Sequence, residues 1–319
     1  MVSEFDLIES YFGSMSTIRN DVVLGIGDDA AVLRVPPDRE LVVAMDTLVA
    51  GRHFAVGTEA FDIGYKSLAV NLSDLAAMGA VPAWATLSLT LPEADEAWLQ
   101  EFSRGFEQLA SAYQLALVGG DTTRGPLSVT VQLHGFVEPG KALRRDTAKA
   151  GQDIFVTGVP GEAACALKQL LSGKEVDPVL LERLNRPQPR VSFGVSLVET
   201  GAAAIDISDG LLADLGHVLD ASSCGATIRL GDLPTSPALQ RLTADEVLAS
   251  QLRGGDDYEL CITVDPDRAD RLQEIASNYG LKITRIGQIE HETGLRCIHA
   301  DGRCVLADTG GYDHFSHAD

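Results

Sequence analysis

Aspartates in glycine-rich turns are the residues here with a chemistry to offer. Gly25-Ile-Gly-Asp-Asp-Ala30 sets two adjacent carboxylates behind two glycines, where the apolar run Val22-Val23-Leu24 ends. Acidic turns recur at Ala44-Met-Asp-Thr47, Asn71-Leu-Ser-Asp74, Gly119-Gly-Asp-Thr122, Asp206-Ile-Ser-Asp-Gly210 and Gly254-Gly-Asp-Asp257. One Asp in such a turn ordinarily serves turn geometry, and Asp74 read alone is a helix-surface acid. Asp206 is harder to dismiss, because it lies between Ile205 and Ile207 in an apolar strand. Asp29, Asp46, Asp121, Asp206 and Asp209 all fall at strand ends or in the turns after them, where α/β folds assemble their sites. The expectation is that these turns converge. Two carboxylates ~4 Å apart repel by roughly 4 kcal/mol at an effective dielectric near 20, so convergence calls for cations between them. Hard oxygen donors without a His/Cys cluster select Mg²⁺ over zinc. Mg²⁺ takes few protein ligands and completes its shell with phosphate oxygens, which makes a nucleotide the natural partner.

Other residues fit a phosphate site. Gly119 and Gly120 allow close approach of the backbone to a phosphate. Arg145 offers a planar fork for phosphate oxygens, or equally an interdomain ion pair. His53 reads as a polar contact to an acceptor or as a turn-capping residue. Tyr312 reads as a stacking surface or a packing anchor.

Several motifs fail. Gly25 to Ala30 fits a loose GxGxxA pattern, but an apolar run and Pro36-Pro37 follow it where a phosphate-facing helix should start. No GxxxxGK[ST], HExxH or GxSxG occurs. The net charge is −21, from 46 acidic and 25 basic residues, which argues against binding nucleic acid or an anionic membrane. No apolar run is long enough to span a bilayer, and the acidic N-terminus does not read as a secretory signal. The five cysteines are dispersed with no CxxC, as in a reducing cytoplasm.

The elements that must position these residues follow from periodicity. Helices are expected at 5–13, 61–79, 93–113, 161–172, 191–201, 211–221, 236–252 and 267–279. Ser67, Asn71 and Asp74 share one face of the second of these. Strands are expected at 41–49, 84–91, before Gly119, at 127–137, 153–158, 203–206, 226–230, 258–264 and 282–288, with a hairpin at 294–307. This is α+β (mixed α/β) in two lobes: an N-terminal domain over 1–138, a connecting segment at 139–149 and a C-terminal α/β domain over 150–319.

Seven ordered motifs carry a resemblance: Gly25-Ile-Gly-Asp-Asp29, Asp46-Thr-Leu-Val-Ala-Gly-Arg-His-Phe54, Asn71-Leu-Ser-Asp-Leu-Ala-Ala-Met-Gly79, Gly119-Gly-Asp-Thr-Thr123, Ile205-Asp-Ile-Ser-Asp-Gly-Leu211, Gly255-Asp-Asp-Tyr-Glu-Leu260 and Gly311-Tyr-Asp-His-Phe315. They resemble the thiamine-monophosphate kinase family, in the superfamily that includes aminoimidazole-ribonucleotide synthetase and selenophosphate synthetase. The resemblance implies the two-domain fold of that superfamily. It implies ATP-dependent phosphorylation of thiamine monophosphate to thiamine diphosphate, the last step of that cofactor's biosynthesis, with several Mg²⁺ ions, in a cytoplasmic homodimer. The nucleotide, metals and dimer contact would belong to the N-terminal domain. By motif position Asp29, Asp46, Asp74, Asp121, Asp206 and Asp209 would hold metal. Gly120, Asp121, Arg145 and Ser208 would contact ATP, and His53, Asp256 and Tyr312 the thiamine phosphate. Asp121, Asp209 and Arg145 would be the residues closest to the chemistry.

Two positions depart from the family pattern. Ala44 and Met45 stand where Ser/Thr precede the second motif's Asp, and Asp256 stands in place of Glu. Two other readings stay open. A selenophosphate synthetase-like enzyme would carry a reactive Cys near its N-terminus, whereas the first cysteine here is Cys165. A non-catalytic acidic nucleotide-binding protein would bind Mg-ATP without forming product.

Overall fold

The computed structural model describes residues 11, 12, 17–307 and 310. It divides into two compact units, Met1–Leu75 with Ala80–Ala142, and Ala76–Gly79 with Leu143–Asp319. Most of the expected N-terminal helix, and the final stretch with Tyr312, lie outside the described residues.

In the first unit, β1 (Val22–Leu24) and β2 (Val32–Leu33) form an antiparallel ribbon. A separate sheet has the order β3-β6-β4-β5, from β3 (Glu40–Val49), β4 (Val81–Leu91), β5 (Ala116–Arg124) and β6 (Ser128–Val137). Only β4 and β5 run parallel in it. A parallel pair needs a crossover, and α2 (Glu96–Ala112) provides it after α1 (Ala60–Ala77). Asp95 starts α2 by accepting the N–H groups of Ala97 and Trp98 at 2.9 and 3.1 Å. The helix then buries Leu99, Phe102, Phe106 and Leu109, three or four residues apart.

Two glycines let these helices touch. A Cβ on Gly64 would lie 2.0 Å from the Phe102 carbonyl oxygen, and one on Gly105 would lie 1.9 Å from that of Phe61. Both obstacles are backbone, so no rotamer relieves them. Gly105→Ala is expected to destabilise the protein by about 2–3 kcal/mol, as overpacking of a close contact does. Denaturant melts of the variant and of exposed Ser111→Ala as a control measure it.

In the second unit, β7 (Asp153–Thr157), β8 (Ala203–Asp206), β9 (Gly225–Arg229), β10 (Leu260–Val264), β11 (Ile283–Glu290), β12 (Gly294–Ile298) and β13 (Cys304–Leu306) form one sheet. Its order is β13-β12-β9-β11-β7-β10-β8. Every neighbouring pair is antiparallel except β9 with β12. Helices α3 (Glu162–Leu171), α4 (Pro178–Asn185), α5 (Val191–Leu197), α6 (Leu211–Ser222), α7 (Ala244–Arg253) and α8 (Ala269–Asn278) accompany it. Its core joins Ile154, Val156, Ile205, Leu211, Leu215, Ile228 and Ile286. The mixture of mostly antiparallel sheets and helices is the α+β class expected. Among the described residues, no helix is long and apolar enough to cross a membrane.

Local differences have local causes. Helix α4 was not expected; Asp177 accepts the Val179 N–H at 3.0 Å and Pro178 opens the first turn, the ordinary start signal. The single helix expected over 236–252 is a 3₁₀ turn at Leu239–Arg241 followed by α7. Thr243 and Glu246 form a reciprocal capping box there and restart the chain as a new helix.

Candidate functional site

The first unit places two acidic stretches around one cavity of about 640 Å³. Gly25–Ala31 is the loop joining β1 to β2, whose register pairs Val22 with Leu33 and Leu24 with Val32. A hairpin loop is not the strand-to-helix turn of a dinucleotide fold. Asp28 Oδ1 accepts the Asp29 N–H at 2.8 Å, so Asp28 shapes the turn. Both residues line the cavity, as do Gly119, Gly120 and Asp121, with Ile26, Leu117 and Val118 as apolar lining.

Gly119 to Asp121 were expected in a turn, but they belong to β5, because its ladder with β4 continues through them and pairs Leu87 with Gly120 and Ser88 with Asp121. The two glycines differ in reason. A Cβ on Gly120 would sit 1.8 Å from the Leu87 carbonyl oxygen, so packing on β4 excludes a side chain there. A Cβ on Gly119 would meet nothing within 4 Å. The open side at Gly119 is where a ligand can approach the backbone.

Asp46 was likewise expected in a turn and is the seventh residue of β3. Its N–H donates to Asn71 Oδ1 at 3.1 Å, and Asn71, fully buried, sits on α1 with Asp74 one turn further on. Asp46 and Asp74 do not line the cavity shared by Asp29 and Asp121. Burial alternates along β3, so Met45, 62% exposed, points away from the face of Asp46. Met45 in place of Ser/Thr therefore removes no side chain from that face, whereas Ala44, on the same face as Asp46, lacks the hydroxyl that Ser or Thr would place there. His53 Nδ1 accepts the Val49 N–H at 2.9 Å, which leaves the ring proton of the neutral tautomer on Nε2.

The second unit gathers its own acids where β8 ends at the sheet edge. Asp206, 7% exposed, is the last residue of β8 and leads into the turn before α6. The Gly254–Glu259 segment docks on that turn. The Asp256 N–H donates to Ser208 O at 2.9 Å and the Tyr258 N–H to Ile207 O at 2.8 Å. Asp256 and Tyr258 hold positive φ, +68° and +52°, a conformation that stores strain in non-glycine residues and recurs at functional sites. Tyr258 OH donates to Asp256 Oδ1 at 3.0 Å. Asp257 caps α3 through the Gly161 N–H at 2.7 Å; burial first, then the charges of Glu259 and Asp256, push its carboxyl well above the usual range. Thus Asp206, Ser208, Asp209 and Asp256 come together.

Arg145 does not join that cluster through the helix that carries it. Ser222, at the far end of α6, donates its hydroxyl to Arg145 O at 2.9 Å. Twelve helical residues separate the two ends, ~18 Å at the usual rise. Arg144, not Arg145, pairs with Asp146, with Nε 2.8 Å from Oδ1. Arg145 is exposed and makes no ion pair among the described residues.

Sequence reasoning missed Asp214. It is 3% exposed, and burial first, then the charges of Asp206 and Asp209, push its carboxyl up to about 7. The available signal was one acid inside Leu211-Leu-Ala-Asp-Leu215.

Among the described residues, no three His, Cys, Asp or Glu side chains are grouped to hold a metal by themselves. The donors nevertheless suit Mg²⁺. They are carboxylates that line one cavity or gather at one turn, and Mg²⁺ needs only one or two protein carboxylates when phosphates supply the rest.

Comparison with known proteins gives the context. Residues 27–137 match the AIR synthase related protein N-terminal domain, and 150–300 match the corresponding C-terminal domain. The chain is 48% identical over 320 residues to thiamine-monophosphate kinase of Escherichia coli strain K12, covering 98% of both chains. The crystal structure of thiamine-monophosphate kinase from Stenotrophomonas maltophilia K279a is 48% identical and superposes with a TM-score of 0.88, over 95% of this chain and 98% of that one. A further structure, AaThiL complexed with AMPPCP and TMP, is 30% identical with a TM-score of 0.78, over 98% and 96% of the two chains.

Proposed function

The chain belongs to the thiamine-monophosphate kinase family, within the AIR synthase related proteins, and on that premise we propose that it phosphorylates thiamine monophosphate with ATP, giving thiamine diphosphate and ADP. The observation that carries this reading is the 48% identity with the Escherichia coli kinase over 98% of both chains. The AaThiL complex with AMPPCP and TMP supports it.

The transfer needs no base. An oxygen of the acceptor phosphate, already anionic, attacks the γ-phosphorus of ATP; the bond from that phosphorus to the β,γ-bridging oxygen breaks, and ADP leaves with the electron pair. Two anions must therefore be held in line against their repulsion. Bound Mg²⁺ would supply the compensating charge. Asp29 and Asp121, both lining the first unit's cavity, are assigned to hold it there, and Asp46 and Asp74 to hold further ions beside α1. Gly119 and Gly120 offer backbone to the ATP phosphates, and Ile26, Leu117 and Val118 an apolar wall. Asp206, Asp209 and Ser208 are assigned to the phosphate end of the second unit's turn; Arg145, whose backbone is held at the far end of α6, is assigned as an anion clamp outside that cluster. His53, Asp256 and Tyr312 are assigned to the acceptor. Tyr258 holds the shorter Asp256 carboxylate in one direction, so Asp in place of Glu here is a supported group and not a loose one.

A synthetase using a reactive thiol near its N-terminus is disfavoured, since the first cysteine is Cys165 and the one exposed cysteine, Cys304, lies on β13. Cys165, Cys224, Cys261 and Cys297 are buried, and burial pushes each thiol up, Cys261 to about 12, which lowers thiolate content. Incubation with Mg-ATP tests the reading. ADP release that depends on thiamine monophosphate supports it, and release that does not depend on it points to a hydrolase.

A homodimer in the cytoplasm completes the proposal. β3 is an edge strand, and its outward face carries Leu41, Val43, Met45 and Val49 at 43, 49, 62 and 36% exposure. Such a stripe on a strand edge invites a partner, and a second copy of the same acidic chain fits it. Met45→Lys is expected to weaken self-association by at least about tenfold, the size of effect for one interface residue, measured by light scattering across a dilution series.

A further inference from the structure

Asp214 takes no part in the chemistry assigned above, yet its buried carboxyl organises the turn that carries Asp209. Its Oδ2 accepts three consecutive backbone N–H groups, from Ser208 at 3.0 Å, Asp209 at 3.1 Å and Gly210 at 3.1 Å. Ordinary helix capping runs the other way: a residue before the helix accepts from the first turn. Here Gly210 precedes α6 and offers no side chain. Asp214 reaches back from the first helical turn and holds the segment upstream. The Ile207 N–H donates to Glu259 O at 2.7 Å, so all four N–H groups from Ile207 to Gly210 are committed. The Ser208 carbonyl is committed as well, to the Asp256 N–H at 2.9 Å. A backbone pinned in this way fixes the Cα–Cβ direction in which the Asp209 side chain leaves the turn.

The carboxyl is 3% exposed, and three successive N–H groups of the turn share its one oxygen. A helix cap alone does not require it; Ser or Thr before α6 would serve. Groups that orient a metal-binding carboxylate from behind, without touching the metal, are held to just such geometry. We propose that Asp214 is a positioning residue that fixes the stretch of backbone from which Asp209 presents its carboxylate to a divalent cation. This rests on the phosphotransferase reading above, in which Asp209 binds metal.

The probe is Mn²⁺, titrated into the full-length protein and its variants with free ion followed by electron paramagnetic resonance. Asp209→Asn identifies which bound ions depend on this turn. In Asp214→Ala those ions should bind about 10–100-fold more weakly, while ions independent of Asp209 are unaffected and the exchange of the 208–210 amide protons accelerates. A merely structural role would lower Tm and leave the affinity of the folded protein unchanged. Where Asp214→Ala does not fold, Asp214→Glu, which keeps the charge but displaces the accepting oxygen by one methylene, carries the test. A loss under about threefold in the folded variant overturns the proposal, given the usual size of such effects. Thiamine diphosphate formation, measured alongside, separates the two ideas. Wild-type turnover without an Asp209-dependent Mn²⁺ site defeats this inference alone. An Asp209-dependent site that weakens in the variant, in a protein that makes no thiamine diphosphate, defeats the functional reading alone.

Discussion

Asp121→Asn loses on the order of 10³-fold or more in kcat, the loss expected when several kcal/mol of metal-borne charge stabilisation disappears from the transition state. Its fold should survive. Asp121 is exposed on β5, and the ladder that holds it is made by backbone groups of β4 and β5, which an amide side chain leaves intact. Asn keeps the shape of Asp but removes the anion that would share a cation with Asp29 in the cavity. Circular dichroism and Tm should match wild type within a degree or two while product formation disappears. Wild-type turnover by this variant would remove Asp121 from the site.

Asp209→Asn is expected to abolish transfer to a similar degree and, unlike most substitutions, to stabilise the cation-free protein. The Asp214 carboxyl is raised to about 7 by burial first and then by Asp206 and Asp209. Its unfolded value is the ordinary 3.8, so the folded state binds this proton more tightly. The contribution to stability is complete below about pH 4 and is lost as pH rises through about 7. Without divalent cations, wild-type stability should therefore fall between those limits. Removing the Asp209 charge should flatten that slope and raise Tm at pH 8 by roughly 2–4 °C, corresponding to about 1 kcal/mol. Adding Mg-ATP should reverse the order, because ligand binding stabilises the wild type by mass action. An active site that destabilises its own apo protein is a common exchange of stability for function. A Tm for Asp209→Asn equal to or below wild type across pH 5–8 without metal would contradict it.

What the sequence could reveal follows from where information sits along the chain. Asp29 and Asp121 were legible because an acid next to glycines is a local pattern, and the ordered motifs carry the family as a whole. The reasons for the glycines were not legible. Gly120 is excluded from bearing a Cβ by Leu87 on the neighbouring strand, and Gly64 and Gly105 by the facing helix. Such contacts join residues far apart in the chain. The clusters around Asp46 and Asp121 imitate loop composition and predict turns; the ladders of β3 with β6 and of β4 with β5 override that local preference. Asp214 escaped because one acid in an apolar helix reads as a solvent-facing position, and only the fold reveals its three N–H donors. Tyr258 escaped because positive φ in a tyrosine has no sequence signature.

The most direct measurement is a single-turnover reaction with ATP labelled at the γ-phosphorus, thiamine monophosphate and Mg²⁺, quenched and resolved by chromatography. The expected result is label in the terminal phosphate of thiamine diphosphate, formed in step with ADP and with no labelled protein along the way. Label released as inorganic phosphate, or ADP formed equally without thiamine monophosphate, would contradict the assignment of this chain as a phosphotransferase acting on that acceptor.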